Sequence, residues 1–578
     1  MSKLDKSKLL EVLENIGALM ELKKENPFKI RAYLNAVRSL EQFQGSLDDA
    51  VKNKELLSIK DIGKGIAEKI EEFFSSGHIK YYDELKDSIP PGVFEMLAIE
   101  GLGPKKIHVL YEKLRIKTLG DLEHACRENR LVSIEGFGEK TQENILKGIK
   151  YHMSYSDRFH VSTALEEAEK LMAELKKKAG KKINRMEIAG SLRRRKEIIG
   201  DIDFVAGSSQ SEPVMDAFSS LSQVDEVIAK GPTKTSVKLK SGINADIRIV
   251  PDKKYPYALH HFTGSKEHNT AMRALSKSKG LKMNEYGLFN GDKNISCKDE
   301  KEIFSKLGLS FIPPELREDR GEIELAAAGK IPALIEEKDI KGVIHVHTIA
   351  SDGKASLDDM AAFAKRKGYS YLGIGDHSKS AHYAGGLEEK RVKEQWEQID
   401  ALNKKLTGFV VFKGIESDIL PDGSLDYDEN ILRDFDFIVA AIHSKFKMSK
   451  GEMTKRIIKA VKNPYTTMIG HLTGRLLLSR TGYEVDVEKI LKALAGENKA
   501  IELNANPHRL DLDWRYCKMA KELGVPVSIN PDAHDMEGVK DIKYGVGIAR
   551  KGWLEKKDIL NVKSAGEIKK FFDNIKRQ

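Results

Sequence analysis

GVIHVHT, residues 342–348, is an apolar run that closes on two histidines, His345 and His347. Runs of the same kind follow it: YLGIGDHS (371–378), VVFKGIES (410–417), FIVAAIHS (437–444), TMIGHL (467–472) and VSINPDAH (527–534). Each carries a metal-ligand side chain at the end of a stretch that reads as a buried strand. With AIELNAN near 500 there are at least seven strand candidates separated by helical stretches, which predicts a barrel of parallel strands. In such barrels the reacting groups sit at the C-terminal strand ends. The full set is His345, His347, Asp352, His377, Glu416, His443, His471, Asp532 and His534. One such histidine is ordinarily a hydrogen-bonded structural residue. Nine ligand residues, nearly all at strand ends, point instead to a multi-metal hydrolytic centre, in which bound cations bring the pKa of water near neutrality for attack on phosphorus.

A chain of 578 residues is too long for one ordinary core, so several domains are expected. Its 40% hydrophobic and 32% charged residues describe a soluble globular protein. No run approaches the ~18 apolar residues of a membrane span. The opening MSKLDKSKLLEVLENIGALMELKK mixes both charge signs in a helical pattern and lacks the apolar segment of a secretion signal. We therefore expect a cytoplasmic protein with no membrane contact. Cys126, Cys297 and Cys517 are too widely spaced for a metal knuckle and read as packing residues of a reducing compartment. The net charge of +9 favours a polyanionic partner.

A short pattern recurs three times before residue 150: KDIGKGIAEKI, IEGLGPKKIHVL and IEGFGEKTQENIL. The G-x-G cores are read as Gly63/Gly65, Gly101/Gly103 and Gly136/Gly138, each a tight turn opening a helix. Glycine lets backbone amides approach a phosphate, and the helix N-terminus adds free N–H donors. Repeated, this clamps a nucleic-acid backbone without reading bases. The copies resemble helix-hairpin-helix elements, the first departing by Asp61 where the others have glycine.

Between about 156 and 255 short strands alternate with helices; 256–316 reads as mainly helical and basic, and 317–340 as a charged, mostly helical connector. The run MEIAGSLRRRKEIIGDIDFVAGS places Asp201 and Asp203 on one face of a strand, by its period of two. Asp246 lies in a second alternating strand, ADIRIV. Three carboxylates on adjacent strands can hold two Mg²⁺ ions, which neutralise a triphosphate and activate an attacking hydroxyl. Upstream, Gly190-Ser191 opens a turn whose amides can meet phosphate, with Arg193, Arg194 and Arg195 just beyond.

G-S-x(9)-D-x-D, then D-I-R, then HFTGSKEHNTAMRA, resembles the family X DNA polymerases over residues 1 to about 316. The resemblance implies metal-ligand and catalytic roles for Asp201, Asp203 and Asp246, with Asp246 near the primer 3′-hydroxyl. It implies nucleotide contacts from Gly190, Ser191, Arg194, Phe262, Gly264 and Asn269, and a template contact from Arg273. His261 stands where relatives commonly carry an aromatic residue. Lys69 matches the lysine that some relatives use as a Schiff-base nucleophile on a 5′-deoxyribose phosphate; a phosphate-contacting lysine on a solvated helix is the plainer reading.

H-x-H…S-D-G…G-D-H-S…E…H…G-H…D-A-H resembles the PHP phosphoesterases, whose nine ligand positions are all filled. That likeness implies one cation on His345, His347, Glu416 and Asp532, a second on Glu416, His443 and His471, and a third on Asp352, His377 and His534. Mn²⁺ and Zn²⁺ both suit this donor mixture. The implied fold is multidomain: a helical helix-hairpin-helix N-terminal region, an α+β nucleotidyltransferase palm with a thumb, and a C-terminal PHP distorted (β/α)7 barrel. The expected boundaries are a lyase-like DNA-binding domain at 1–90, fingers at 91–155, palm at 156–255, thumb at 256–316, linker at 317–340 and PHP domain at 341–578. The implied function is filling of short gaps in base-excision repair. It would act as a monomer on gapped or nicked DNA with deoxynucleoside triphosphates, Mg²⁺ in the palm and up to three Mn²⁺ or Zn²⁺ ions in the barrel. The PHP domain would hydrolyse 3′ ends, and cleavage at abasic sites would suit the same centre. A nucleotidyltransferase on a non-DNA acceptor and a DNA-binding scaffold with idle sites are the alternatives.

Overall fold

The computed structural model describes residues 6–43, 47–99, 101–127, 130–132, 134–155 and 158–576. The chain forms two compact bodies, residues 1–156 and 157–578.

The first body is helical among its described residues. Its core is drawn from apolar positions at helical spacing, including Leu13, Ile16, Leu40, Ile70, Leu110 and Ile149. Two hairpins are alike in detail. Ile62 and Leu102 are buried, while Gly63 and Gly103 cap the helices Lys64–Ser76 and Pro104–Leu114 without a side-chain hydrogen bond. The first-turn amides of both helices are thus left without a side-chain cap. Gly101 and Gly136 take positive φ, 82° and 87°, and Asp61 takes the same left-handed conformation at 61°. Asp61-Ile62-Gly63 is therefore the equivalent of the other two G-x-G cores. Gly65, read from sequence as a turn glycine, lies inside the helix Lys64–Ser76.

The second body begins with a five-stranded sheet in the order Arg185–Ile188, Asp201–Gly207, Asn244–Val250, Lys234–Leu239, Val224–Lys230. Strand Asp201–Gly207 runs parallel to Asn244–Val250, with Asp203 in register with Asp246. The segment expected to be mainly helical also carries a three-stranded antiparallel sheet, Lys282–Asn284, Gly287–Asn290 and Lys293–Ile295. Strands this short carry too little alternation to announce themselves. The expected connector is less helical than its charge pattern suggests. It holds one short α-helix, Glu322–Ala327, between Gly321 and Gly329, and it is anchored by the fully buried Arg317 and Glu322.

The remainder is the barrel. Gly342–Val346, Tyr371–Ile374 and Val410–Phe412 pair in parallel, as do Gly414–Asp418, Phe437–Ala441, Met468–Ile469, Ala500–Asn504 and Val527–Asn530. Val410–Phe412 runs on into Gly414–Asp418 across Lys413, so the segments make seven strands around the ring. A parallel bridge between Val346 and Ala533 joins the first strand to the last. Their interiors are buried throughout, as expected for strands covered on both faces.

Two candidate metal centres

In the palm, the parallel register brings Asp203 beside Asp246, while Asp201 lies two residues earlier on the same strand. Burial, then the neighbouring charges of Asp201 and Asp246, push the Asp203 carboxyl up to about 7. Lys234 forms an ion pair with Asp246. Gly190 stands against this cluster at φ 61°, and a Cβ there would lie 2.2 Å from Asp203 Oδ2. A cavity of about 460 Å³ opens beside the carboxylates. Gly190, Ser191 and Arg194 line it on one side, and Phe262, Gly264, Asn269 and Arg273 on another. The Asn269 amide donates to the His261 carbonyl at 2.7 Å, and the Arg248 guanidinium lies over the Phe262 ring at 4.3 Å. Every nucleotide-site residue read from the sequence thus faces one space.

In the barrel, all nine sequence-read ligands gather at the C-terminal strand ends. Three groups have ligand atoms within 4.8 Å of one another: His345, His347 and Asp532; His377, Glu416 and His443; His347, Asp352, His377 and His534. These overlap the sets implied by resemblance, but His347 also stands with Asp352, and His377 also stands with Glu416. His471 Nε2 reaches Glu416 Oε1 at 2.8 Å. The register slips between Val343 and Val346, and His345 within that bulge has φ 64°. Asp532 has φ 51°. Left-handed backbone at two non-glycine ligand positions is the kind of local strain that surrounding structure must hold in place.

The donor set fits divalent cations. His345 Nε2, both ring nitrogens of His347 and Glu416 Oε2 are buried without a well-directed hydrogen bond. Such orphaned nitrogen and oxygen atoms are the ligand types of Mn²⁺ and Zn²⁺. Burial opposes charge on His345, yet Glu502, Asp532 and Glu416 outweigh it and hold the imidazole well above its ordinary range. Burial would raise the Asp352 carboxyl, but the imidazoles of His347, His377 and His534, 3.3–3.4 Å from it, hold it far below the carboxylate range.

Protein-family models match four segments of the chain. A helix-hairpin-helix domain matches residues 5–79, a SAM-like helix-hairpin-helix tandem 93–150, a DNA polymerase beta thumb 258–318 and a PHP domain 344–506. The DNA polymerase/3'-5' exonuclease PolX of Bacillus subtilis is 38% identical over 98% of this chain and 99% of its own length. The chain belongs to the PolX family. Rat DNA polymerase lambda is 25% identical over 54% of the chain and 56% of its own length. A protein of Thermoanaerobacter sp. (strain X514) named "Probable phosphatase" is 28% identical over 40% of the chain and 95% of its own length. This PolX chain is thus a family X DNA polymerase with a PHP domain, an architecture that implies 3′–5′ exonuclease and phosphoesterase activity.

Three buried carboxylates of this PolX chain escaped the sequence reading. Glu502 accepts from His345 Nδ1 at 2.6 Å, and Asp418 from His443 Nδ1 at 2.5 Å. Such partners select the tautomer and aim the other ring nitrogen at a cation. Asp376 accepts from the Thr348 amide and hydroxyl, each at 2.7 Å, and from the Ser351 hydroxyl at 2.5 Å, fixing the loop that carries Asp352. Their only sequence signal is an acidic residue inside or just after an apolar run. Lys69 is half-buried, its Nζ 3.4 Å from the Gly65 carbonyl and 5.0 Å from the Tyr81 ring centroid. The three cysteines are free and buried, and among the described residues no helix is long and apolar enough to cross a membrane.

Proposed function

We propose that this chain fills short gaps in DNA during base-excision repair and trims 3′ ends with its barrel, acting as a cytoplasmic monomer on gapped or nicked duplexes. The observation that carries this reading is the pairing, within one body, of a carboxylate-lined nucleotide cavity with a barrel mouth that gathers nine ligand side chains, His471 through its contact with Glu416. The first supports templated nucleotide addition, the second hydrolysis of phosphodiesters.

Asp201, Asp203 and Asp246 would hold Mg²⁺, which when bound neutralises triphosphate charge and lowers the pKa of the primer hydroxyl. Gly190 and Ser191 offer backbone amides to the phosphates, and Arg194 offers a guanidinium. Phe262 and Gly264 would border the sugar, while Asn269 and Arg273 would face the nascent pair. In the barrel, His345, His347, Asp352, His377, Glu416, His443, His471, Asp532 and His534 would hold up to three Mn²⁺ or Zn²⁺ ions, which when bound supply hydroxide near neutral pH. The hairpin turns at Gly63, Gly101, Gly103, Gly136 and Gly138 would grip backbone phosphates without reading bases. A non-DNA acceptor is disfavoured by these repeated hairpins, and an idle scaffold by the two complete ligand sets. The domain boundaries read from the sequence divide this labour.

A gapped, 5′-phosphorylated duplex with a mismatched 3′ end tests the whole reading. Asp246→Ala should abolish extension and spare 3′ hydrolysis; His345→Ala or Glu416→Ala with Mn²⁺ should do the reverse. No templated extension by the unaltered protein would sink the polymerase assignment. For Lys69, borohydride trapping on a 5′-deoxyribose phosphate substrate separates a lyase nucleophile, which forms a covalent adduct lost in Lys69→Ala, from a phosphate contact, which forms none. Cleavage of an abasic-site duplex with and without His345 tests the remaining activity.

A further inference from the structure

A lysine of the barrel domain holds Arg194, a residue that lines the palm cavity. Lys551 is the last residue of helix Ile542–Lys551 and is fully buried. Its ammonium lies over the Trp514 ring, 4.6 Å from the centroid. It donates to the Arg194 carbonyl at 3.1 Å and to Glu318 Oε1. Glu318 Oε1 also accepts from Arg194 Nε at 3.0 Å, and Lys196 stands 3.5 Å from the other oxygen. Arg194 donates in addition to the Thr263 carbonyl and lines the cavity beside Gly190 and Ser191. One barrel lysine therefore holds both the main chain of Arg194 and the carboxylate that its guanidinium leans on.

The arrangement asks for a charge. An apolar side chain of similar length would fill the space without the desolvation cost of a buried ammonium. That cost is real, since burial pulls the Lys551 ammonium down to about 8 against the opposing pull of Glu318. What only the ammonium supplies is a fully buried cation on Glu318 Oε1, the oxygen that Arg194 Nε also uses, Lys196 lying on the other oxygen. With its charge shared, Glu318 steers Arg194 without capturing it. Stripped of Lys551, the same carboxylate would bind Arg194 more tightly and turn it from the triphosphate.

We propose that Lys551 is a positioning residue for nucleotide addition: through Glu318 it sets Arg194 toward the incoming triphosphate, so that the barrel domain contributes to nucleotide affinity in the palm. This rests on the reading of Arg194 as a triphosphate contact.

The test is steady-state extension of a gapped duplex by the full chain. Lys551→Met should raise KM for the nucleotide by about tenfold, the scale of one misdirected charge-assisted hydrogen bond. Its kcat should stay within about twofold, and 3′ hydrolysis should remain near that of the parent. Lys551→Arg, which keeps the cation, should recover most of the affinity. His160→Phe removes the His160 Nε2 bond to the Leu477 carbonyl, a palm-to-barrel contact that involves none of Lys551, Glu318 and Arg194, and should leave KM unchanged. If Lys551→Met does not accumulate folded, Lys551→Gln keeps a donor without the charge and should also raise KM. An unchanged KM in these neutral variants overturns the proposal, as does an equal rise in His160→Phe. Absence of extension by the parent protein would instead remove the polymerase reading on which the proposal stands.

Discussion

His345 Nδ1 donates to Glu502 Oε2 at 2.6 Å, and Glu502 Oε1 accepts the His471 backbone amide at 3.0 Å. Asn504 and Asn530 complete the environment of this carboxylate, at 3.0 and 2.8 Å. One buried anion thus fixes ligand positions on two strands and leaves His345 Nε2 directed at Asp532 and Glu416. Glu502→Gln should weaken cation binding at the barrel by about 10–100-fold while leaving extension intact. A Mn²⁺ titration of 3′ hydrolysis checks this, and an unmoved half-activating concentration would refute it.

Gly190→Ala sets the smallest possible side chain against the palm carboxylates. Its Cβ would fall 2.2 Å from Asp203 Oδ2, and the φ of 61° is itself unfavourable for alanine. Displacement of Asp203 by a few tenths of an ångström should cost about 10²-fold in kcat/KM for extension, with 3′ hydrolysis unaffected. Single-nucleotide incorporation measures it; parent-like rates would show that the turn does not abut the reacting centre.

Removal of divalent cations should be felt in stability as well as in catalysis. Chelation should stop 3′ hydrolysis and lower the thermal midpoint. Mn²⁺ restored at 100 times its dissociation constant should return about 2.7 kcal/mol per site. His345→Ala should show a smaller return in the same differential scanning measurement. Equal gains in both proteins would place the stabilising ion elsewhere.

Glu300 accepts from Arg317 Nη1 at 2.5 Å and from Arg193 Nη2 at 2.6 Å. Burial alone would raise its carboxyl, but the two guanidiniums outweigh burial and hold it at about 2, against an ordinary 4.5. A depressed carboxyl contributes stability that is present above about pH 4.5 and lost as the pH falls toward 2. Glu300→Gln should therefore cost about 3 kcal/mol at pH 7, because it leaves the Arg317 charge buried and unpaired. The difference from the parent should shrink below pH 4.5. Urea unfolding at pH 7, 5 and 3.5 follows it, and a pH-independent difference would contradict the assignment.

The barrel was legible because GVIHVHT and its successors combine two independent signals, a buried-strand run and a ligand at its end. The palm was legible for a related reason, since Asp201 and Asp203 share a face only on a strand. Glu502 carried no such mark: AIELNAN reads as one more strand, and only ring closure brings its carboxylate under His345. Asp376 was hidden beside a histidine that explained its motif. The thumb strands failed because Lys282–Asn284 and its neighbours are three or four residues long, below the length at which alternation is visible. Gly65 misled because spacing alone cannot tell a turn glycine from one in a first helical turn, whereas φ 61° at Asp61 settles the register.

The barrel ring is sealed where Val346 bridges Ala533 and the His347 amide donates to the Ala533 carbonyl at 2.9 Å. His347 Nε2 and Asp532 Oδ1 face each other across this seam at 3.1 Å. During translation the palm possesses all its strands once residue 250 has left the ribosome, but the hydrolytic centre waits for residue 534, and the hold of Lys551 on Arg194 waits longer still. A nascent or prematurely ended chain therefore acquires the parts for writing DNA before the parts for erasing it, and acquires its full grip on nucleotides only when both are complete.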